Sequence, residues 1–337
     1  MRKVYIEISR TCYKGCYYCY NTKKIASDLK PDIQKIINSV IKLSAEDKNL
    51  NLIFSGGEPI YNLEGIKSIT KELSGMGLKI KSTIITNTEF LTKDLVDFIN
   101  SNRPYLVLSF NKMTPKILKD INKLLPKDRI LIRFTITPEN SKNILSEIAA
   151  TLSLKYLIGI SPAFGIPWDD KSLKILSTLY TKLALQKNSN YIYDFAKLQY
   201  TSANNHRECP SIQKSNAIDI FGNIYPCHRA INFPDKEIQQ GRFKPGCESC
   251  PAYRFCTPCV FKDIPGDGCK IRIAISSVYN ALYYRWRYRM KKKIRIYYKG
   301  KKYEVPETIL KKYTKMKKST SKKNSRNFYE LGESDCY

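Results

Sequence analysis

Short apolar runs and longer amphipathic stretches alternate along the first half of the chain. VYIEIS (4–9) reads as a strand, and after a cysteine-bearing loop the segment near 32–45 places its apolar residues at helical spacing. LNLIFSGG (50–57) is strand-like, 63–76 helical, and KIKSTIITN (79–87) strand-like again. A helix around 93–101, the strand YLVLSF (105–110), a helix over 115–125 and the strand ILIRFTIT (130–137) continue the series. A helix at 140–152 and the strand KYLIGISPAF (155–164) complete six alternations. Parallel strands need crossover helices, and strands covered on both faces carry near-continuous apolar runs. The pattern predicts an α/β fold, a partial (β/α)6 TIM-like barrel, with chemistry at the C-terminal ends of the strands. Cys12, Gly56, Asn87 and Ser109 all lie at or just beyond such ends.

After a helix near 171–186 the rhythm breaks. Residues 205–270 are loop-like, rich in Gly and Pro, and hold seven cysteines. So few apolar residues cannot build a core, and a covalent or metallic element must order the segment. IAISSVYNALYYRWRYRMKKK then predicts a helix with a basic face, and 294–305 a hairpin turning at Gly300. From about 317 the tail is polar, and disorder is expected there. The predicted organisation is a barrel over 1–190, a loop-rich cysteine domain over 200–275, and a basic helix, hairpin and tail over 276–337.

Composition narrows the class. The 337 residues are 42% hydrophobic, enough for a sizeable core. The N-terminus alternates like a strand and lacks the apolar run of a signal peptide, and no stretch is long enough to span a membrane. The expected location is therefore the cytoplasm, where eleven cysteines mean metal or redox chemistry rather than a disulfide framework. Of the formal charge of +28, residues 285–326 supply +16, from eighteen Lys or Arg against two acids. Such a block attracts polyanions, nucleic acid among them, or serves as a solvated tail.

The candidate chemistry starts at TCYKGCYYCYN, where Cys12, Cys16 and Cys19 fall within eight residues. Thiolate triples this close bind zinc or an iron–sulfur cluster. Zinc would need a fourth ligand, and neither histidine lies nearby in sequence. Three thiolates on a four-iron cluster leave one iron open to a small chelating molecule.

CYKGCYYC resembles the CxxxCxxC signature of the radical S-adenosylmethionine (radical SAM) enzymes, with the aromatic Tyr18 before the last cysteine. SGGEP (55–59) resembles the family's GGE motif; Gly56, Gly57, Glu58 and Pro59 would then bind SAM, with Glu58 offering a carboxylate to its amine. ITNT (85–88) is similar to the TNG at the third strand and places Asn87 there, with Thr88 where glycine is usual. Ser109 matches the ribose-contacting serine of the fourth strand, Asn111 stands where aspartate is common, and TITPEN (135–140) is similar to a fifth-strand segment. The resemblance covers roughly residues 1–185. It implies a [4Fe–4S] cluster on Cys12, Cys16 and Cys19 with SAM at its open iron.

Spacing in the second half resembles the SPASM extension of that family. Cys209, Gly222 and Cys227 follow C-x12-G-x4-C; then come Cys247, Cys250, Cys256 and Cys259 in CESCPAYRFCTPC, and finally Cys269. A zinc ribbon is the rival for paired CxxC motifs. The chain departs from the pattern in having two residues, not three, between Cys256 and Cys259. The resemblance implies two auxiliary [4Fe–4S] clusters: an outer one on Cys247, Cys250, Cys256 and Cys269, and an inner one on Cys209, Cys227 and Cys259. No cysteine lies just upstream of Cys209 to complete the inner set; His206 is a candidate fourth ligand or else a solvated surface histidine, an open site that binds substrate is the other reading, and Cys336 is left over.

The family reading implies reductive cleavage of SAM to a 5′-deoxyadenosyl radical and hydrogen abstraction from a peptide or protein, as in ribosomal peptide maturation. Sulfatase-maturing relatives carry an aspartate base where this chain has His228, which makes His228 a candidate base or a hydrogen-bond donor to cluster sulfur. Implied partners are a reducing protein such as flavodoxin or ferredoxin and, because the barrel begins at residue 1 without a fused leader-binding domain, a separate leader-peptide recognition protein. The basic, aromatic C-terminal segment keeps an RNA-modifying enzyme in view. A small-molecule dehydrogenase and an iron–sulfur electron-transfer module stay in view beside it.

Overall fold

The structure, a computed structural model, describes residues 1–19, 21, 29–87, 92–110, 123, 127–163, 165–186, 188–197, 215–232, 249–250, 252, 268–290, 295–298 and 301–304. In chain order the elements are β1 (Arg2–Ser9), α1 (Ile33–Ser44), β2 (Asn49–Gly56), α2 (Leu63–Gly75), β3 (Lys79–Thr86), α3 (Lys93–Asn102), β4 (Tyr105–Phe110) and β5 (Ile130–Ile136). They continue with α4 (Ile144–Ser153), β6 (Leu157–Pro162), α5 (Asp170–Ala184), α6 (Tyr193–Lys197), β7 (Ser215–Ile218), β8 (Ile224–Tyr225), α7 (Gly268–Met290), β9 (Arg295–Tyr298) and β10 (Lys301–Glu304). The alternation of strand and helix thus follows the sequence pattern. The helix expected over 115–125, apart from Lys123, the turn at Gly300 and the tail from 317 lie outside the described residues.

Two compact units divide the chain. The first holds Met1–Arg133 and Cys209–Gln239. Its strands run in the order β4-β3-β2-β1-β7-β8. β1, β2, β3 and β4 are all parallel neighbours, with Val4 opposite Leu52, Leu52 opposite Ser82, and Ile84 opposite Leu106. Six consecutive residues of β1, from Val4 to Ser9, are buried, as a strand covered on both faces requires. α1 and α2 turn Ile36, Ile37, Val40, Ile66, Ile69 and Leu73 inward. Their starts are capped: Asp32 accepts the Lys35 N–H at 3.0 Å, and Asn62 accepts that of Gly65 at 3.2 Å.

Residues 215–225 depart from the loop-like reading of 205–270. Ser215–Ile218 is a strand, parallel to β1 from Lys3↔Ser215 to Ile6↔Ile218, and β8 folds back on it antiparallel. A four-residue strand carries little periodic signal; its partner β1 defines it, and it covers what would otherwise be a sheet edge.

The second unit holds Phe134–Glu208 and Gln240–Phe328. α7 begins at Gly268, earlier than the apolar spacing indicated, and buries Ile271, Ile275 and Val278. Within this unit Tyr279 of α7 packs with Tyr180 of α5 and Phe195 of α6, at ring separations of 6.0 and 6.2 Å. β9 and β10 pair as the expected antiparallel hairpin. No helix among the described residues is long and apolar enough to cross a membrane.

Candidate active site

The C-terminal ends of β1 and β2 are held together backbone against backbone. The β1–β2 register shifts between Glu7 and Ser9, a bulge that turns the end of β1, as bulges next to active sites often do. Beyond it the Gly57 N–H donates to the Ser9 carbonyl at 2.6 Å, and the Glu58 N–H to the Thr11 carbonyl at 2.8 Å. Side chains would prevent this. A Cβ on Gly56, which sits at φ +129°, would lie 2.2 Å from the Ser9 oxygen, and one on Gly57 2.4 Å from the Thr11 oxygen. The two glycines of SGGEP therefore fasten the segment that leads into Cys12.

Cys12, Cys16 and Cys19 follow on a short loop of tight turns. The Cys16 N–H donates to the Lys14 carbonyl at 2.9 Å, and the Cys19 N–H to the Cys16 carbonyl at 3.1 Å. None of the three is in a disulfide, and all are at intermediate exposure. Tyr18 is half-buried and meets the exposed Tyr17 edge to face at 5.4 Å. Among the described residues no three His, Cys, Asp or Glu side chains converge on one ion position. A four-iron cluster asks for something else, one thiolate to each of three irons, and three separate, reduced thiols on one loop fit that donor set.

Glu58 is the buried acid of this site, 2% exposed. Its Oε1 accepts from the Thr86 hydroxyl at 2.6 Å and the Ile60 N–H at 3.2 Å, and its Oε2 accepts from the Asn87 N–H at 2.8 Å. Each carboxylate oxygen offers about two acceptor directions, and among the described residues Oε2 uses one, leaving one for a further donor such as an ammonium. Burial pushes the Glu58 carboxyl above the usual glutamate range, opposed by these three hydrogen bonds and by the Lys14 charge. The sequence pattern does not single out Thr86. Its one signal is a polar side chain closing an apolar strand, one residue before Asn87. Pro59 is buried at the start of the 3₁₀ turn Pro59–Asn62, and Ser109 is half-buried near the end of β4.

Cys227 and His228 follow β8 after Pro226. Cys227 is 4% and His228 7% exposed, and the imidazole lies 4.9 Å from the ring of Tyr5 in β1. Burial, reinforced by the charges of Arg229 and Arg133, lowers the His228 pKa to about 3. The ring is neutral at physiological pH, which suits an N–H donor better than a proton acceptor. Gly222, the glycine of the G-x4-C pattern, stands at φ +85° in the β7–β8 turn. Of the remaining expected cluster cysteines, Cys250 is half-buried and Cys269 exposed, at the start of α7 in the second unit. Cys209, Cys247, Cys256 and Cys259 lie outside the described residues, as do His206, Thr88 and Asn111.

A parallel α/β sheet, a three-cysteine loop after its first strand and a glycine-glycine-glutamate turn after its second define the class of the radical SAM enzymes. Residues 6–133 match the radical SAM superfamily, and that segment of the chain is a radical SAM domain. The chain is 24% identical over 130 residues to the radical SAM cyclopropyl synthase TigE of Paramaledivibacter caminithermalis, a match spanning 33% of this chain and 27% of that relative. Among solved structures, native anSMEcpe with bound AdoMet and Cp18Cys peptide superposes with a TM-score of 0.60 at 14% identity, over 86% of this chain and 97% of that one. Streptococcus suis SuiB bound to its precursor peptide SuiA gives a TM-score of 0.50 at 17% identity, over 71% and 62%. These likenesses establish the fold as the partial TIM-like barrel of that class.

Proposed function

We propose that the protein reductively cleaves SAM and uses the resulting radical to remove a hydrogen atom from a peptide or protein, as a maturation enzyme. The observation that carries this reading is the junction of Gly57 and Glu58 with Ser9 and Thr11, which brings the acid of the GGE turn beside the cysteine loop. Bound there, a [4Fe–4S] cluster would supply the electron that breaks SAM into methionine and a 5′-deoxyadenosyl radical. Cys12, Cys16 and Cys19 would hold three of its irons. Glu58, itself held by Thr86 and Asn87, would take the methionyl ammonium of SAM on Oε2, and Ser109 and Asn87, at the neighbouring strand ends, would contact its nucleoside.

The peptide is supported by what similar proteins hold: SuiB its precursor SuiA, and anSMEcpe a peptide beside AdoMet. Cys209, Cys227, Cys247, Cys250, Cys256, Cys259 and Cys269 are proposed to bind two auxiliary clusters, with His228 donating a hydrogen bond beside Cys227 rather than acting as the base. A flavodoxin or ferredoxin would deliver the electron, and a separate recognition protein would present a leader peptide.

A deuterium-transfer experiment tests the substrate class. Reconstituted protein, SAM and dithionite are incubated with perdeuterated peptides or, separately, perdeuterated RNA. Deuterium recovered in 5′-deoxyadenosine from the peptide reaction alone is the expected result. Label arriving only from RNA would overturn the peptide assignment.

A further inference from the structure

Apart from Glu58, the buried carboxylates among the described residues are Glu7 and Asp219, and neither has a role in the site above. Both lie where β1 passes the β7–β8 turn, near enough for the Asp219 charge to act on Glu7. Glu7 Oε2 accepts from Arg10 Nε at 3.1 Å and lies 3.0 Å from Arg10 Nη2, and the Glu7 carboxylate also accepts the Ile220 N–H. The Arg10 guanidinium, in a side chain only 11% exposed, stands 5.1 Å from the centre of the Phe221 ring. Asp219 shapes the turn beneath that ring. It accepts from the backbone N–H groups of Phe221 and Asn223, both at 2.9 Å, from the Asn223 amide at 3.0 Å and from the Tyr225 hydroxyl at 3.1 Å. α1 grips the turn from its other side: Asp32 N–H donates to the Ile220 carbonyl at 2.8 Å, and the Ser39 hydroxyl to that of Gly222 at 2.5 Å.

Arg10 is thus seized twice. Its backbone carbonyl is so close to Gly57 that a Cβ there would lie 2.7 Å away, and its guanidinium is fixed to Glu7 and to the hairpin turn. Only Thr11 separates it from Cys12. The same hairpin runs from Phe221 through β8 to Cys227. A buried ion pair is seldom the most stabilising way to fill a protein interior; the geometry that it selects is the other thing it can supply. An aromatic face and a carboxylate fix a guanidinium plane in a way that an ammonium cannot match.

We propose that Arg10 is a positioning residue, coupling the seat of the Asp219–Asn223 turn to the geometry of the cysteine loop that starts at Thr11. The inference rests on the radical SAM reading only for its consequence: the hairpin that leads to Cys227 would set how Cys12 presents its thiolate to the first cluster.

Phe221→Ala is the variant of choice, because the ring is 46% exposed and its removal empties no core. Hydrogen–deuterium exchange is followed on the full, metal-free chain. Amides of residues 11–16 should exchange about tenfold faster or more than in the wild type, although Phe221 belongs to a segment two hundred residues away in sequence. Arg10→Lys, which keeps the charge and loses the planar fork, should do the same. In the reconstituted protein both variants should alter the electron paramagnetic resonance spectrum of the reduced first cluster with SAM. Faster exchange confined to 219–225, with 11–16 and the spectrum as in the wild type, would overturn the coupling. Failure of the radical SAM reading would show separately, as wild-type protein that cleaves no SAM, and leaves the exchange result readable.

Discussion

The Thr86 hydroxyl donates to Glu58 Oε1 at 2.6 Å, across the ends of the third and second strands. Both residues are buried, at 3% and 2% exposure, so no water replaces the bond when the hydroxyl is removed. Hydrogen bonds to charged groups are worth roughly 1.5–3 kcal/mol, and Thr86→Val is expected to cost about that much at neutral pH. The pH dependence has a definite sign. Burial raises the folded-state pKa of Glu58, so the stability associated with its protonation is present below pH 4.5 and is lost as pH rises through the raised value. Removing Thr86, which opposes that rise, moves the window upward. The stability difference between wild type and Thr86→Val should therefore be larger at pH 7.5 than at pH 4, as read from urea midpoints. An equal difference at both would separate Thr86 from the Glu58 charge.

Two glycines of the cysteine and GGE segments should behave oppositely. Gly57→Ala drives a methyl into the Thr11 carbonyl, a backbone atom that cannot step aside, and about 3 kcal/mol of stability should go. Gly15, between Cys12 and Cys16, has nothing within 4 Å of a would-be Cβ, and Gly15→Ala should stay within about 0.5 kcal/mol of wild type. Thermal unfolding of the metal-free chain measures both. Equal losses would mean that the backbone junction at Gly57 is not what holds the loop.

The fold was legible where apolar runs were long. β4 falls on the 105–110 run, and β1, β2 and β3 agree with the sequence pattern to within a residue or two at most ends. β7 was hidden, because a four-residue strand in a cysteine-rich stretch is defined by pairing with β1, which periodicity does not report. The site divides the same way. Cys12, Cys16, Cys19, Gly56, Gly57 and Glu58 stand out by spacing and residue type, whereas Thr86 and the placing of Arg10 between Glu7 and Phe221 depend on which strands become neighbours. Glu7 and Asp219 are more than two hundred residues apart, and no local pattern joins them.

His228 should not titrate in the physiological range. With its pKa lowered to about 3, the folded protein keeps the ring neutral while the unfolded chain takes up a proton below pH 6.5. Its contribution to stability is present above pH 6.5 and is lost as pH falls toward the folded value. The imidazole proton resonances of His228 in the metal-free chain should stay constant from pH 8 to pH 5. A midpoint near 6.5 would place the ring in water, away from Tyr5.

Iron content separates the cysteine sets. If three clusters assemble, Cys16→Ala should retain about two-thirds of the wild-type iron, with the distal cysteines still loaded. Complete loss of iron would mean that the distal cysteines hold none by themselves.

A loop of Cys12, Cys16 and Cys19 that serves SAM cleavage shows itself in the product. Anaerobically reconstituted protein, given SAM and dithionite, is predicted to release 5′-deoxyadenosine, and Cys16→Ala to release none. Iron-loaded wild type that yields no 5′-deoxyadenosine, or a Cys16→Ala variant that yields as much as wild type, would contradict the account.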